Sequence, residues 1–222
     1  MNPYYGCTHR CIYCYVPMVI HYEDPTRPWG TFAEEKRGFH ELLLEQAPRK
    51  RDRRPVFVSS SCDPYQPLEK RAGLTRRCLE LLIHEGYPIS ILTKNPLVTR
   101  DMDLLVKNNV EVGLTVTTDD EQMRALFEPG APPIGQRLAA LAALKKKGIK
   151  AYAFVGPMLP MNPEKLAERL IRLTSRVALD NMHHRPVVRA FYQRHGLLRF
   201  LSREYEERVH GVFARYFDLE TD

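Results

Sequence analysis

Short β-branched or aromatic runs alternate with amphipathic helical stretches over nearly the whole chain, and that rhythm restricts the fold more than any other feature. A strand, a helix and a second strand close most readily as a right-handed parallel unit. The expected strands begin at Pro55 (PVFVSS), Pro88 (PISILT), Val110 (VEVGLTV), Lys150 (KAYAFV) and Arg176 (RVAL), with a stub, NPYY, near the N-terminus. Between them the pattern predicts helices over Phe32–Gln46, Thr75–Glu85, Arg100–Asn108, Gln136–Lys147 and Pro163–Leu173. Asn162 ahead of Pro163 reads as an N-cap, and Lys145, Lys146 and Lys147 ahead of Gly148 read as a helix C-terminus. Beyond Asp180 come two polar helical stretches, His184–His195 and Arg203–Tyr216. An open doubly wound sheet fits this alternation, as does an incomplete eight-stranded barrel. The expectation adopted is the second: an α/β fold, a partial (β/α)6 barrel of TIM type with parallel strands over residues 1–180. A C-terminal helical extension over 181–222 packs on it, within one domain.

In either architecture chemistry belongs at the C-terminal ends of the strands. The unusual residues obey that rule: CTHRCIYCY follows the stub, SCDPYQPLE the second strand, TKN the third, TTDD the fourth and GPMLP the fifth. No stretch of the 222 residues approaches the apolar length of a membrane span, and MNPYYGC lacks the succession of a signal peptide. A cytoplasmic setting is therefore expected, and its reducing character makes disulfides a poor explanation for the cysteines. The net charge of +6 is compatible with a polyanionic partner and with an ordinary soluble enzyme.

Three of the five cysteines, Cys7, Cys11 and Cys14, fall in a C-x3-C-x2-C spacing on one short loop. A structural zinc ion takes four ligands, and an iron–sulfur electron carrier normally has four cysteines. Cys78 sits on the apolar face of a predicted helix with Leu74, Leu81 and Leu82. His9 completes a zinc site only if its side chain folds back within the loop. The remaining reading is a 4Fe-4S cluster on three thiolates, with one iron open to a cofactor.

The C-x3-C-x2-C motif with an aromatic just before its third cysteine resembles the radical S-adenosylmethionine (radical SAM) superfamily. NPYYGCTHRCIYCY, SSSCDPYQPLE, LTKNPLVTRD, FEPGAPP and FVGPMLP, in that order from Asn2 to about Asp180, are similar to its spore photoproduct lyase-related branch. The resemblance implies a 4Fe-4S cluster whose open iron is chelated by the amino and carboxylate groups of S-adenosyl-L-methionine. It also implies a reductant such as flavodoxin or ferredoxin, and a 5′-deoxyadenosyl radical that abstracts hydrogen from a substrate. A nucleic-acid lesion or nucleotide is the favoured substrate class. A small metabolite or peptide is the alternative, and a third reading is a non-catalytic iron–sulfur module that binds nucleic acid or carries electrons.

The same resemblance implies site roles. Tyr13 lies against the adenine and Tyr15 joins a radical relay, unless the pair only packs the loop. Asp63, with Ser61 beside it, accepts from the cofactor ammonium, against the alternative of an Asx turn with Pro64. Lys94 meets the cofactor carboxylate. Thr115 and Thr117 reach the ribose or carboxylate from one strand face, or are core threonines. Gly156 and Pro157 offer backbone to the adenine edge. Photoproduct lyases carry a hydrogen-donating cysteine on the Cys62 segment, and aligning Asp63 puts that position at Ser60. Strand alternation keeps Cys62 on the same face, as a donor or as a buried thiol. Glu128 and Arg137 form an ion pair.

The basic runs Arg49–Arg54 and Lys145–Lys147 precede strands and so face away from the cysteines. Arg10, Lys70, Arg71, Arg76, Arg77, Arg185 and Arg189 are better placed for a polyanion. No hairpin is evident that could wedge a base from a duplex.

Overall fold

A computed structural model describes residues 1–50, 52–106 and 108–219. Arg51 of the first basic run and Lys107 of the expected third helix lie outside the described residues. The strands are β1 (Tyr4–Gly6), β2 (Ala33–Glu35), β3 (Val56–Val58), β4 (Ile89–Thr93), β5 (Val110–Thr115), β6 (Lys150–Val155) and β7 (Val177–Leu179). The last five form one parallel sheet in the order β3-β4-β5-β6-β7, each strand pairing with its sequence neighbour. That order is the partial barrel.

Alternation along the strands divides the sheet into two faces. Val58, Ile89, Ile91, Val110, Val112, Leu114, Ala153, Val155 and Val177 turn toward the helices and form the main core. The other face presents Phe57, Leu92, Thr115, Tyr152, Phe154 and Ala178 to a cavity. The helices are α1 (Val16–Val19), α2 (Phe39–Gln46), α3 (Glu69–Ala72), α4 (Leu74–His84), α5 (Met102–Leu105), α6 (Glu121–Phe127), α7 (Ile134–Lys146) and α8 (Pro163–Leu170), of which α4, α5, α7 and α8 supply buried side chains to that core. Asn162 caps α8 by accepting from the Lys165 amide, and Gly148 takes a left-handed φ of 70° just past α7, as the sequence indicates. Helices α9 (Arg185–Arg194) and α10 (Arg203–Phe213) pack on the sheet's helices: Val209, Val212 and Phe213 enter the core beside Leu166 and Leu170. Full burial of such side chains contributes about 1.5–3 kcal/mol each.

Four local expectations are corrected. The stub is not a parallel strand; β1 pairs antiparallel with β2, although Met1 still accepts from the Ser59 amide at 3.2 Å. The helix expected over Phe32–Gln46 starts only at Phe39, because β2 and Gly38, with φ 67°, precede it. Over Arg100–Asn108 the chain makes a 3-10 turn at Pro96–Asp101 and then the short α5. Strand β3 ends at Val58, where Ser59 turns the chain with φ 110°. An unforeseen helix, α6, is capped by Asp120, which accepts from the Gln122 and Met123 amides.

Candidate active site

The cysteine loop follows β1 and is clamped by segments remote in sequence. Gln66 brackets it, its amide nitrogen donating to the Gly6 carbonyl and its oxygen accepting from the Thr8 amide, both at 3.1 Å. From the other side the Gly130 amide donates to the His9 carbonyl, and the Ile12 amide donates to Phe127, both at 2.9 Å. A Cβ on Gly130 would lie 2.2 Å from the Thr8 carbonyl oxygen. Only glycine lets these backbones meet.

The SCDPYQPLE segment is anchored by buried charge. Glu69 and Asp101, both fully buried, meet Arg100 at 2.5 and 2.7 Å, and Tyr65 donates to Asp101 at 3.0 Å. Tyr4 at the start of the cysteine loop also donates to Glu69. Much of this motif is thus scaffold.

Above the sheet lies a cavity of about 600 Å³. Cys7, Cys11 and Cys14 line it together with Tyr13, Tyr15, Ser61, Cys62, Asp63, Lys94, Thr115, Gly156 and Pro157. All five thiols are free. Burial pushes the Cys7 thiol up to about 12, with the Asp63 charge adding to it, and raises Cys11 and Cys14 as well. Thiols so placed become ligands only when a strong cation displaces their protons.

Thr117 does not line the cavity. Strand β5 ends at Thr115, so the alternation that would carry Thr117 to the same face stops two residues short, and its buried hydroxyl donates to Glu128 at 3.0 Å.

Asp63 spends its carboxylate on protein donors. Oδ1 accepts from the Tyr65 amide (2.9 Å) and the Thr93 hydroxyl (2.6 Å); Oδ2 accepts from the Lys94 amide (2.7 Å) and faces His9 Nδ1 at 3.4 Å. The Asx turn is therefore real, and the carboxylate also ties the ends of β3 and β4 to the cysteine loop. The Lys94 ammonium has no hydrogen-bond or ion-pair partner among the described residues and lies 5.7 Å from the Tyr13 ring centroid. Burial works against its charge, but Cys11 and Glu128 outweigh that and hold its pKa above the ordinary value. His9 lines the cavity at 1% exposure, its Nε2 has no partner among the described residues, and burial lowers its pKa.

Glu128 and Arg137 form their ion pair at 2.5 Å, both side chains wholly buried. Arg137 also donates to the Thr115 and Pro132 carbonyls, and Tyr13 donates to Glu128. Burial raises the Glu128 pKa, but Arg137 and Lys94 prevail and bring it down to about 2. The pair thus supports two cavity residues, Tyr13 and Thr115.

Tyr15 donates to the Ser60 carbonyl at 2.6 Å, and its ring stacks on His184 with centroids 6.0 Å apart. The Ser60 hydroxyl accepts from Asn2 at 2.7 Å, and the Ser61 amide donates to Asn2 at 2.9 Å. Cys62 packs with Tyr4, Leu74 and Cys78, and burial pushes its thiol up to about 11. Its route to the cavity is not strand alternation, because residues 59–62 lie beyond β3. A Cβ on Gly156 would lie 2.4 Å from the Phe154 ring. Unanticipated are Phe57, Tyr152, Phe154 and, after β7, Asp180 and His183, which meet at 2.7 Å. The rule that chemistry follows strands pointed to this last pair.

Of the basic residues expected near the mouth, Arg76 is held by Glu80, Asp101 and Asp103, and Arg185 by Glu206. Among the described residues no helix is long and apolar enough to cross a membrane.

A partial barrel with three cysteines and a lysine opening onto one cavity at its strand ends defines a class. Residues 1–173 match the family model of the radical SAM superfamily, and the chain belongs to that superfamily. Membership implies S-adenosylmethionine and a 4Fe-4S cluster. The chain is 36% identical over 161 residues to the uncharacterized protein MJ0683 of Methanocaldococcus jannaschii, covering 72% of this chain and 60% of that one. It is 30% identical over 185 residues to Rv2578c of Mycobacterium tuberculosis, covering 80% of this chain and 54% of that one. The chain thus spans only part of these relatives. A more distant relative is the radical SAM Nalpha-GlyT isomerase of Pseudomonas phage M6, 25% identical over 161 residues, covering 72% of this chain and 33% of that one. The fold is shared with a spore photoproduct lyase mutant holding AdoMet and dinucleoside spore photoproduct, at a TM-score of 0.67 and 16% identity, over 97% of this chain and 72% of that one. It is shared equally with Streptococcus suis SuiB bound to precursor peptide SuiA, at 0.65 and 13%, over 99% and 48%.

Proposed function

We propose that this chain is a radical SAM enzyme that abstracts hydrogen from a nucleic-acid lesion or nucleotide. Cys7, Cys11 and Cys14 hold a 4Fe-4S cluster, and the cavity beside them binds S-adenosylmethionine. The observation that carries this reading is the convergence on one cavity of three free thiols and the Lys94 ammonium, which has no hydrogen-bond or ion-pair partner among the described residues. When bound and reduced, the cluster and S-adenosylmethionine supply a 5′-deoxyadenosyl radical. Lys94 offers its charge to the cofactor carboxylate, and Tyr13, Thr115, Gly156 and Pro157 flank the nucleoside. Tyr15, Ser60 and Cys62 line the substrate side, where Cys62 is the candidate hydrogen donor and Tyr15 the candidate relay. A low-potential flavodoxin or ferredoxin is the proposed reductant, in a reducing cytoplasm.

Three exposed or half-buried rings at the cavity, Phe57, Tyr15 and His184, favour a planar base, since stacking on aromatic side chains is how unpaired bases are held. The dinucleoside held by the spore photoproduct lyase mutant is in keeping with this. A peptide substrate is the second reading, favoured by the SuiB likeness, and lyase chemistry as such is part of the proposal.

The test is anaerobic reconstitution, reduction with dithionite, and assay of 5′-deoxyadenosine from S-adenosylmethionine with and without DNA oligonucleotides. An intact cluster that yields none refutes the reading. Each of Cys7→Ala, Cys11→Ala and Cys14→Ala is expected to lose the cluster, and iron retained near about four per chain in any of them contradicts the three-thiolate site.

A further inference from the structure

We propose that α9 carries, on its exposed face, the phosphate backbone of a single-stranded nucleic acid whose base enters the cavity. This rests on the nucleic-acid reading above and narrows it from a free nucleotide to a strand.

Residues 181–203 contain five arginines, three histidines and no aspartate or glutamate. With the whole chain at only +6, the remainder of it is close to balanced. The stretch begins at the cavity, which His183 and His184 line, and α9 leaves from there. Two of its arginines are neutralised: Glu206 holds Arg185 and Glu207 holds Arg203. Arg189 and Arg194 are exposed and have no hydrogen-bond or ion-pair partner among the described residues. Uncompensated cations on a helix with no acid of its own attract a polyanion.

The helix is firmly seated. Val188 and Tyr192 are wholly buried beneath it, and Tyr192 and Phe191 meet the Phe127 ring with centroids 5.0 and 5.2 Å apart. Ile12 and Tyr13 of the cysteine loop pack against the same cluster. The underside of α9 therefore rests on the loop that borders the cavity, and its outer face, with Arg189 and Arg194, is left to solvent. The two arginines are about 7.5 Å apart along the helix axis, roughly two phosphate steps of a stacked strand at about 3.4 Å each. Contacts of this kind fix a strand's position without reading its sequence, and the rings at the cavity remain to hold the unpaired base. A free nucleotide brings no backbone to these arginines.

The experiment is anaerobic fluorescence anisotropy of the cluster-loaded protein with a labelled single-stranded thymidine oligomer of about 12 nucleotides, across about 50–200 mM salt. Counterion release from two phosphates predicts that Arg189→Gln with Arg194→Gln weakens binding about 25-fold near 0.1 M salt and flattens log K against log salt by about 1.4. Arg189→Lys with Arg194→Lys keeps the charge and should restore most of the affinity. Lys146→Gln with Lys147→Gln, equally exposed but ahead of β6 at the opposite end of the strands, should bind as wild type. Wild-type protein that binds no oligomer overturns the surface, as does wild-type affinity in the glutamine pair or a loss that the lysine pair fails to restore. Equal weakening by Lys146→Gln with Lys147→Gln, or equally tight binding of a polyglutamate peptide, overturns it too, since either makes the attraction one for any polyanion. 5′-Deoxyadenosine formed by protein that binds no oligomer sinks this surface alone. Arginine-dependent binding by protein that forms none keeps the surface and sinks the radical chemistry.

Discussion

Arg137→Met should be among the most damaging single changes to the folded chain, because it strands a buried charge. Arg137 and Glu128 are both wholly buried and meet at 2.5 Å. Methionine fills similar volume but withdraws the donors from Glu128 Oε2, from the Thr115 carbonyl and from the Pro132 carbonyl. Glu128 keeps the Tyr13 and Thr117 hydroxyls, which stabilise but do not neutralise it. Removing one partner of a buried ion pair costs about 3–5 kcal/mol. At about 2–4 °C per kcal/mol for a chain of this size, Tm falls by roughly 6–20 °C. Urea and thermal unfolding of the cluster-free protein at pH 7 read this directly. Glu128→Gln in the Arg137→Met background removes the orphan charge while keeping an acceptor for Tyr13, and should recover a large part of the loss. The sign with pH follows from the depressed carboxyl. Glu128 falls from 4.5 to about 2 in the fold, so its stabilisation is complete above pH 4.5 and is lost as pH drops toward 2. The gap between wild type and Arg137→Met therefore narrows below pH 4.5. A single variant within about 1 kcal/mol of wild type, or a double variant as unstable as the single one, would refute a charge-stranding cost.

Gly130→Ala should loosen the cysteine loop, because the new methyl would lie 2.2 Å from the Thr8 oxygen; overpacking of this kind costs about 1–3 kcal/mol. Iron content after reconstitution and Tm should both drop, and full iron loading at wild-type Tm would show that the clamp is dispensable. Cluster loading should release protons and proceed further at pH 9 than at pH 7, since the Cys7 thiol is held protonated up to about 12 without a metal. Loading that releases no protons in a weakly buffered titration would mean the thiolates are already formed.

The parts legible in the sequence are those set by neighbours along the chain. Strands β4, β5 and β6 appear where expected, and β4 alternates cleanly between buried and half-buried positions. Cys7, Cys11 and Cys14 share a loop whatever the fold does. Glycine decided one failure: Gly38 turns to φ 67° inside what reads as a continuous helix from Phe32. Strand ends decided two more, since alternation carried past Thr115 and Val58 misassigns Thr117 and misplaces the route to Cys62. The supports of the site lay beyond reach for a different reason. Gln66 meets Gly6 across 60 residues and Tyr13 meets Glu128 across 115, and no local pattern encodes which remote partner a side chain finds. Asp63 shows the limit of residue type as a guide. An acid at a strand end suggested a ligand, and its bonds from the Tyr65 amide, the Thr93 hydroxyl and the Lys94 amide show that it also ties the loops together.

The sheet stops at β3 and β7, and among the described residues neither strand gains another parallel neighbour. At the mouth the cysteine side and the β7 side touch through the Tyr15–His184 stack, with Tyr15 43% exposed. A ring pair of this kind is worth about 0.5–1.5 kcal/mol, little more than thermal agitation supplies. Beneath that stack Ile12 and Tyr13 of the cysteine loop pack against a buried cluster that includes Met182, Val188 and Tyr192, so the two sides are also joined by apolar contact. The gap between the two ends of the sheet is thus closed at depth by apolar packing and edged at the surface by two aromatic rings.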